Sequence, residues 1–233
     1  MNIAIIPARG GSKRIPRKNI RSFCGKPMLA YSIQAAQESG VFDDIVVSTD
    51  DPEIADVAKQ YGASVPFLRP AELADDYTGT RAVTNQAMQA YAELYSPPQY
   101  CCCIYATAPF LQTKHLVEGL DALKRNRDKT FAFSVTSFAF PVQRALYRDS
   151  GGVASLYPEF AATRSQDLTE AIHDAGQFYW GTFEGYLSDT PMFSPASIPI
   201  ELPRYLVQDI DTEEDWRRAE LMYRAYMQEN ADD

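Results

Sequence analysis

The amino-acid sequence predicts an α/β fold in which a mixed, mostly parallel sheet carries helices on both faces. Short apolar runs of strand length alternate with amphipathic segments of helical period through residue 136. The length of 233 residues fits one domain, residues 1–233, with a sizeable lobe inside it. Such alternation buries a parallel sheet between two helical layers. It also brings the carboxyl ends of the strands to one edge, where ligands bind.

The predicted elements follow one another in a regular order. The run IAIIP near the N-terminus is apolar throughout, which indicates a strand buried on both faces. Asp51, Pro52 and Gly62 stand where an N-cap, a first helical residue and a helix stop belong. Strands are therefore predicted at 3–7, 44–49, 64–68, 100–106 and 131–136, and helices at 26–40, 50–63, 80–95 and 113–126.

The alternation ends near residue 138. A Gly151-Gly152 turn between two β-like runs predicts a hairpin that projects from the sheet. The chain then returns through strand-like runs at 176–181 and 205–211. It ends in an amphipathic helix at 212–228, for which Thr212 is the candidate cap.

The composition argues against several classes of partner. Thirty-one acidic residues outnumber 22 basic ones, so nonspecific binding to nucleic acid or to an anionic membrane is not expected. No segment has the length of a membrane span or the charge order of a signal peptide. Cys24 and the run Cys101–Cys103 lack zinc-site spacing. We predict reduced, mostly buried cysteines and a cytoplasmic protein, with a metal or redox role for the cysteines as the alternative.

A basic stretch stands out against this acidic background. Residues 9–26 hold seven of the 22 basic residues, directly after the first predicted strand, and include Gly10 and Gly11. Two glycines let the backbone approach a ligand, and exposed amides with Arg and Lys bind polyanions. The spacing matches neither a Walker A loop nor a dinucleotide fingerprint. The interpretation is a triphosphate site; a solvated surface loop is the alternative.

Two carboxylates near the C-terminus suit a metal ion. Asp209 and Asp211 follow an apolar run at spacing i, i+2, so both can face the same side. Mg²⁺ usually takes one or two carboxylates together with phosphate oxygens and water. The alternative is an N-cap cluster for the final helix. With the basic stretch, the pair indicates Mg²⁺-assisted phosphoryl or nucleotidyl transfer.

The stretch IPARGGSKRIPRKN resembles the signature of the cytidylyltransferases that make CMP-sialic acids, the acylneuraminate cytidylyltransferase family. VSTDDPEIADVA, FLRPAELADD and DIDTEEDW continue the resemblance in order, over nearly the whole chain. Tyr105 stands where neuraminate enzymes of the family have Gln. CCCIYATAPFL, FPVQRAL, RSQDLTEAIHDAGQFYWG and LPRYLVQDIDT resemble the branch that acts on pseudaminic acid.

The resemblance implies a Rossmann-like nucleotide-diphospho-sugar transferase fold and a reaction between CTP and pseudaminic acid. CMP-pseudaminic acid and pyrophosphate would be the products, for glycosylation of flagellin or of surface glycans. Rival substrates are neuraminate, legionaminate and Kdo. A sugar-1-phosphate nucleotidyltransferase and a non-catalytic nucleotide-binding regulator are the rival functions.

The resemblance also implies roles for particular residues. Arg9, Lys13 and Asp211 are the catalytic candidates, with Mg²⁺ held by Asp209 and Asp211. Arg14, Arg17 and Arg21 receive no role from the resemblance, and we interpret them as a solvated rim. The implied nucleotide-binding residues are Ala8, Arg9, Gly10, Gly11, Ser12, Lys13, Lys18, Asn19, Arg69, Thr78 and Thr80. The implied sugar-binding residues are Tyr105, Gln143, Arg144, Arg164, Gln166, His173, Asp174, Gln177 and Tyr179.

Three of these expectations are more specific. Arg164 is the candidate for the sugar carboxylate, because a guanidinium binds a carboxylate bidentately. His173 is a sugar contact, a structural histidine or a base, whereas His115 is expected to be structural. The insertion at residues 140–170 resembles the family's dimerisation lobe, which reaches into the partner's active site. Because its apolar residues have little to bury against within one chain, a homodimer is expected.

Overall fold

A six-stranded mixed sheet forms the centre of the protein in the computed structural model, which describes residues 1–74 and 78–229. Over these residues the strands are β1 (Asn2–Pro7), β2 (Ser22–Phe23), β3 (Lys26–Pro27), β4 (Asp44–Ser48), β5 (Tyr100–Ile104), β6 (Phe131–Ser137), β7 (Leu146–Asp149), β8 (Gly152–Ser155), β9 (Ile172–Thr182) and β10 (Ser197–Glu201). The α-helices are α1 (Met28–Ser39), α2 (Pro52–Gln60), α3 (Thr80–Leu94), α4 (Thr113–Arg125), α5 (Phe183–Leu187) and α6 (Glu213–Glu229).

The sheet has the order β10-β6-β9-β5-β1-β4. Strand β1 pairs in parallel with β4 and β5, and β6 pairs in parallel with β10. Strand β9 is antiparallel to both of its neighbours, β5 and β6. The predicted mixed, mostly parallel sheet is confirmed.

Helices cover both faces of the sheet, which is why β1 and β5 carry continuous apolar runs, Ile3–Ile6 and Cys101–Ile104. Ala4 and Ile6 of β1 pack with α1, α2 and α4, whereas Ile3 and Ile5 pack with α3 on the other face. The run Cys101–Cys103 alternates between the same two cores and is fully buried, with free thiols. The prediction of buried, unbridged strand cysteines is confirmed for these three; Cys24 is partly exposed.

The helix ends follow from local sequence. Gly40 ends α1 in the left-handed conformation, with φ 66°, and the Asp51 side chain caps α2 at the predicted residue. At the start of α6, the Thr212 hydroxyl accepts a hydrogen bond from the Asp215 amide at 3.2 Å. The Asp215 carboxylate accepts one from the Thr212 amide at 2.9 Å. This reciprocal capping box confirms Thr212 as the cap.

Two predicted strands are absent. Segment 64–68 makes only an isolated bridge between Ser64 and Val46, because Pro66 cannot donate to a ladder and the chain turns back toward the sheet edge. Segment 205–211 contains the end of a 3₁₀ turn, Arg204–Leu206, and continues irregularly after Pro203. The strand that pairs with β6 at this edge of the sheet is β10 instead. It was not predicted because prolines lie within and around it. Its Pro199 is tolerated because β10 is an edge strand.

The predicted hairpin exists and projects from the sheet. Strands β7 and β8 pair from Leu146↔Ser155 to Asp149↔Gly152, so the two-residue turn is Ser150-Gly151 and not Gly151-Gly152. Both turn residues have positive φ, 41° and 89°, as this hairpin type requires.

A third core fastens the C-terminal helix beneath the basic stretch. Phe23 packs edge-on against Tyr31 of α1 and against Trp216 and Tyr223 of α6, with ring centroids 5.4–5.6 Å apart. The start of α6 is therefore held beside the chain that follows β1. Across the described ranges, every helix is too short or too polar to cross a bilayer.

Candidate active site

A cavity of about 580 Å³ opens at the carboxyl ends of β1, β4 and β5. It gathers residues that are far apart in the sequence, and we call it the main cavity. The predicted nucleotide and metal residues in its wall are Arg9, Ser12, Lys13, Lys18, Asn19, Arg69, Thr78, Thr80, Asp209 and Asp211. Tyr105 and Arg14 line it as well.

Residues 9–19, here called the glycine loop, form one wall of this cavity. Ala8 continues β1 by donating its amide to the Ser48 carbonyl at 2.9 Å, which fixes where the loop begins. The buried Asn19 closes the loop, because its Nδ2 donates to the Arg9 carbonyl at 2.9 Å. Ala8, Gly10 and Gly11 are not among the lining residues described; Ala8 directly precedes the loop, and the two glycines belong to it.

The two glycines of the loop differ. A Cβ on Gly10 would lie 2.5 Å from Oδ2 of Asp51, so only glycine fits there. A Cβ on Gly11 would meet nothing within 4 Å, so Gly11 faces open space. At Gly10 the backbone approaches the Asp51 side chain closely and not a ligand. At Gly11 the space beside the backbone is open to a ligand.

Arg14, Arg17 and Arg21 are at least partly solvent-exposed, as the interpretation of a solvated rim expects, but each of them also pairs with a carboxylate. Arg14 pairs with Asp211 at 2.9 Å, Arg21 with Glu213 at 2.5 Å, and Arg17 with Asp51 and Glu53. The acidic partners come from the N-terminal end of α2 (Asp51 and Glu53) and from the N-terminal end of α6 (Asp211 and Glu213). These arginines therefore hold the loop in place, a role that a charge count cannot reveal.

Lys18 is tied to the candidate metal pair. Its Nζ donates to the Ile210 carbonyl at 2.9 Å and lies 3.4 Å from Oδ1 of Asp211. Arg14 approaches the other oxygen, Oδ2, of the same carboxylate. Two cations thus neutralise Asp211 from the loop side.

Arg69 lines the main cavity and is buried, with only 5% of its surface exposed. Its Nε donates to Ser48 Oγ at 3.2 Å and its Nη2 to the Ser48 carbonyl. Burial lowers the pKa of this guanidinium, and the nearby Asp50 carboxylate partly offsets that shift. A buried, oriented donor group of this kind suits recognition of a polar ring edge.

The alternative that Asp209 and Asp211 cap the final helix is not what the structure shows. Thr212 caps that helix through its hydroxyl, and Asp215 in the first turn accepts in return from the amides of Asp211 and Thr212. Partial burial raises the pKa of Asp209, and the adjacent Asp211 charge raises it further. A cation bound at Asp209 would oppose both of these effects and stabilise its charged form.

Whether Asp209 and Asp211 can hold a metal ion depends on the source of the remaining ligands. In the described part of the chain, no cluster of three or more His, Cys, Asp or Glu residues could hold a metal ion. Mg²⁺ needs only one or two carboxylates when phosphate oxygens and water complete its shell. The pair fits a Mg²⁺ ion that arrives with a phosphorylated ligand, rather than an ion caged by protein alone.

A second cavity of about 420 Å³, here called the side cavity, adjoins the first. The two share Tyr105, Thr107 and Asp209. The remaining described walls of the side cavity are His173, Asp174, Ala175, Gly176, Tyr179, Val207 and Gln208. Four of the predicted sugar residues therefore meet here: Tyr105, His173, Asp174 and Tyr179.

An irregularity in the sheet aims these side chains. The pairing of β6 with β9 shifts register between Phe133 and Val135, where the Ser134 hydroxyl accepts from the amides of Gln177 and Phe178 at 3.2 Å each. Gly176 adopts φ 62° at the same place. Such a bulge turns a strand locally and re-aims its side chains.

The polar groups of the side cavity are linked to one another. Tyr179 Oη lies 2.7 and 2.8 Å from the two carboxylate oxygens of Asp174, and Gly176 donates its amide to the same carboxylate at 2.9 Å. Burial raises the pKa of Tyr179 far above its ordinary value, so its hydroxyl stays protonated as a donor. His173 Nδ1 lies 2.9 Å from the Asp174 carbonyl, and its ring packs on Phe138.

Five predicted sugar residues do not line either cavity. Gln177 is buried and donates to the Leu206 carbonyl at 2.6 Å, so it supports the wall from behind. The other four lie in the insertion and bond within it. Gln143 donates to Thr169, Arg144 to the 160–163 backbone, and Arg164 pairs with Asp167, while Gln166 is exposed.

Sequence reasoning missed two wall residues that the fold explains. Thr107 follows β5 and lines both cavities, and Gln208 precedes the metal pair. Thr107 carried a usable signal, because it stands just beyond the carboxyl end of a buried strand.

His115 is buried in α4, beside Glu118 at 3.4 Å, and burial lowers its pKa. The structural assignment of this histidine agrees with that environment.

Comparison with known proteins places this geometry in a family. The model of the cytidylyltransferase family matches residues 3–222. The pseudaminic acid cytidylyltransferase of Campylobacter jejuni serotype O:23/36 is 46% identical over 224 residues, which cover 96% of each chain. The CMP-N,N'-diacetyllegionaminic acid synthase of Legionella pneumophila is 31% identical and matches 94% of this chain and 95% of its own.

A solved structure shares the fold. The CMP:2-keto-3-deoxy-manno-octonic acid synthetase complexed with CTP superimposes with a TM-score of 0.70 over 97% of this chain and 99% of that one, at 15% identity. At this identity the likeness concerns the fold alone, and it confirms the predicted Rossmann-like nucleotidyltransferase architecture. The family model covers nearly all of the sequence, and the relatives match it from end to end. The chain belongs to the cytidylyltransferase family.

Proposed function

We propose that the protein transfers CMP from CTP to pseudaminic acid and releases pyrophosphate. The observation that carries this proposal is the 46% identity, over 96% of both chains, to a relative named for that activity. The main cavity supports it, because basic loop residues and a carboxylate pair line it together. The adjoining side cavity provides space for a second substrate next to the carboxylate pair.

The glycine loop binds the triphosphate in this proposal. Arg9, Ser12 and Lys13 line the cavity and supply donors and positive charge, with the Gly10-Gly11 backbone beside them. Preorganised charge of this kind stabilises the negative charge that develops on the departing pyrophosphate. Asn19 and Arg69 lie deeper and serve the cytosine, with Thr78 and Thr80 in the same wall.

The sugar hydroxyl on the anomeric carbon attacks the α-phosphorus in line, and the bond to the pyrophosphate oxygen breaks. Position and electrostatics suffice for such a transfer, so no enzyme nucleophile is required. Asp209 lies on the boundary between the two cavities, where the two substrates meet.

The carboxylates of Asp209 and Asp211 would hold Mg²⁺. The ion, when bound with the nucleotide, supplies charge neutralisation at the α-phosphate and raises the acidity of the attacking hydroxyl. Arg14 and Lys18 contact Asp211 on its loop side and keep this carboxylate oriented.

The side cavity binds the sugar acid. Tyr105, Asp174 and Tyr179 offer hydroxyl and carboxylate groups for the substrate's hydroxyl and amide groups, and His173 is a further polar contact. Asp174 and Asp209 already place two carboxylates in the side cavity, and none of its described lining residues is Lys or Arg. Besides a Mg²⁺ ion at Asp209, a cation from outside the side cavity would favour binding of the sugar carboxylate there.

We propose that a second copy of the chain supplies that cation from its insertion. Phe140, Leu146 and Val153 are 81%, 62% and 71% exposed in one protomer, which suits a surface buried in a homodimer. Arg144, Arg164, Gln143 and Gln166 would then act in the partner's site, with Arg164 on the carboxylate. The enzyme would work in the cytoplasm, where CTP is present. Its product would be the donor for flagellin or surface glycan glycosylation.

One assay tests the proposal: pyrophosphate release with CTP, Mg²⁺ and a panel of pseudaminic, legionaminic, neuraminic and Kdo acids. We expect pseudaminic acid to give the highest kcat/KM, by about tenfold or more. A clear preference for another acid would overturn the substrate assignment. Turnover only with sugar 1-phosphates would move the chain to another reaction, and CTP binding without turnover would make it a regulator.

A further inference from the structure

The glycine loop is anchored from outside the cavity by the acidic pair at the start of α2. We propose that Asp51 is a positioning residue which, through Arg17 and Gly10, holds the loop in the conformation that binds the triphosphate. Neither Asp51 nor Arg17 is among the described residues that line the main cavity. The proposal rests on the proposed function only in taking CTP as the nucleotide.

The Asp51 carboxylate joins two parts of the chain. Its Oδ1 accepts from the amides of Glu53 at 2.9 Å and Ile54 at 3.1 Å, which fixes it to the first turn of α2. The same oxygen accepts from Arg17 Nη2 at 3.2 Å, and Oδ2 pairs with Arg17 Nη1. The planar guanidinium thus meets the carboxylate with both nitrogens, a geometry that is more directional than a single ion contact.

Gly10 is held against the same acidic pair. Its amide donates to Oδ1 of Asp50 at 3.0 Å. The missing Cβ lets the backbone lie against Asp51, whose Oδ2 would be 2.5 Å from a Cβ. The loop therefore touches the acidic pair at two points, Gly10 and Arg17, on either side of the cavity residues Ser12 and Lys13.

The backbone of Arg17 needs this support. Arg17 has φ 55°, a left-handed conformation that costs a non-glycine residue roughly 1 kcal/mol or more. Its carbonyl accepts from the amides of Ile20 at 3.0 Å and Arg21 at 2.9 Å, which closes a tight turn. Lys18 and Asn19, in that turn, line the main cavity. A shift at Arg17 would therefore displace two groups that face the nucleotide.

A plain surface ion pair is the competing interpretation, since Arg17 is 39% exposed and such pairs contribute little to stability. The two interpretations differ in what a substitution changes. Loss of a plain ion pair lowers stability slightly and leaves the loop as it was. Loss of a positioning contact releases the loop even when the protein remains fully stable.

Asp51→Asn separates these possibilities. Asparagine caps a helix as well as aspartate does, so α2 is retained, while the charge pair with Arg17 is lost. We expect the midpoint of thermal unfolding to change little and the Kd for CTP, measured by calorimetry, to rise on the order of tenfold. Arg17→Ala, which also removes the pair with Glu53, should weaken CTP binding at least as much, and the double variant should be no weaker than Arg17→Ala alone.

Hydrogen exchange of the protein without nucleotide provides a readout that does not depend on the reaction. Backbone amides of residues 10–14 should exchange faster in both variants than in the wild type. Lys26→Gln is the matched control: it removes one positive charge from the same basic stretch, away from Asp51, and should change neither exchange nor CTP affinity.

Folded Asp51→Asn and Arg17→Ala proteins with wild-type loop exchange and CTP affinity within twofold of wild type would overturn the proposal. Equal weakening by Lys26→Gln would also overturn it, because total charge would then be the cause. A wild-type protein that fails to transfer CMP would instead contradict the proposed function, while the exchange result would still decide the role of Asp51.

Discussion

The glycine loop and the insertion both carry several arginines, yet the fold treats them in opposite ways. Arginines of the loop and of the turn that follows it pair with acids from distant parts of the chain: Arg17 with Asp51, and Arg21 with Glu213, 192 residues away. In the insertion, Arg144 donates to carbonyls 16–19 residues away and Arg164 pairs with Asp167. The loop is therefore shaped by the tertiary structure, whereas the insertion is bonded mainly to itself.

This difference indicates where each region can act. A loop fixed by distant partners can bind a ligand with preorganised groups in a single chain. A hairpin that is bonded internally and carries exposed apolar side chains presents its surface outward. Small local substitutions in the loop should then impair nucleotide binding or catalysis. The function of the insertion should instead be lost through substitutions that prevent two chains from associating.

The largest expected effect concerns the loop. Lys13→Ala removes a charge that faces the main cavity, and it should lower kcat by about 100-fold or more, because the departing pyrophosphate loses a stabilising cation. Lys13 is exposed, so the midpoint of thermal unfolding should stay near the wild-type value. Steady-state pyrophosphate release measures the loss. A decrease below threefold would remove Lys13 from the catalytic residues.

The next effect concerns the insertion. Phe140→Asp places a charge on a side chain that is 81% exposed in the protomer, so it should not destabilise the chain itself. If the insertion forms a homodimer, the mass measured by light scattering should halve and activity should fall about tenfold, as the partner's residues leave the site. Leu94→Asp, at an exposed position at the end of α3, is the control and should change neither. A monomeric wild-type protein would contradict the dimer.

A smaller effect distinguishes the two loop glycines. Gly10→Ala should lower stability by roughly 1–3 kcal/mol, because a Cβ would overlap Asp51 and the backbone must move. Gly11→Ala should leave the stability of the ligand-free protein unchanged, since that Cβ would meet nothing within 4 Å. Urea unfolding compares the two variants. Equal stabilities would mean that the loop yields at Gly10 and is not tightly held.

The smallest effect depends on pH. Hydrogen bonds from Arg17 hold the pKa of Asp51 below its ordinary value, so this pair contributes stability that is complete above the unfolded value, about 3.9. That contribution should disappear as pH falls through the lower, folded-state value. It should be at most about 1 kcal/mol, because Arg17 is more than a third exposed. The free energy of unfolding of the wild type should exceed that of Asp51→Asn at pH 7, and the gap should narrow as pH falls below about 3.9. A gap that persists at low pH would assign it to something other than this charge pair.

Local sequence predicted most of the regular elements because their signals are local. Asp51 and Pro52 opened α2 and Gly40 closed α1 where expected, and the continuous apolar runs became strands buried between two helical layers. The absent strand at 64–68 and the overlooked β10 show the limit. Proline content disfavoured β10, but an edge position tolerates Pro199, and no local pattern tells which run will occupy an edge.

The residues of the main cavity were also predictable, because loops after parallel strands meet at one edge and because the motifs resemble a known family. The sugar side was less so. Tyr105, His173, Asp174 and Tyr179 meet in the side cavity, whereas Arg164 and its neighbours in the insertion do not line it. Contacts between two chains leave no local pattern in the sequence. The role of Arg164 and its neighbours in sugar binding therefore stays a prediction.

The sequence by itself determined the alternating α/β order, the basic stretch with its two glycines, and the carboxylates placed before the final helix. Only the tertiary structure decided which charges face the cavity and which hold the loop. Arg14, Arg17 and Arg21 look equivalent along the chain, and they differ because Asp211, Asp51 and Glu213 approach them from remote segments. Electrostatic pairing depends on distance in space, and the folding of the sheet sets that distance.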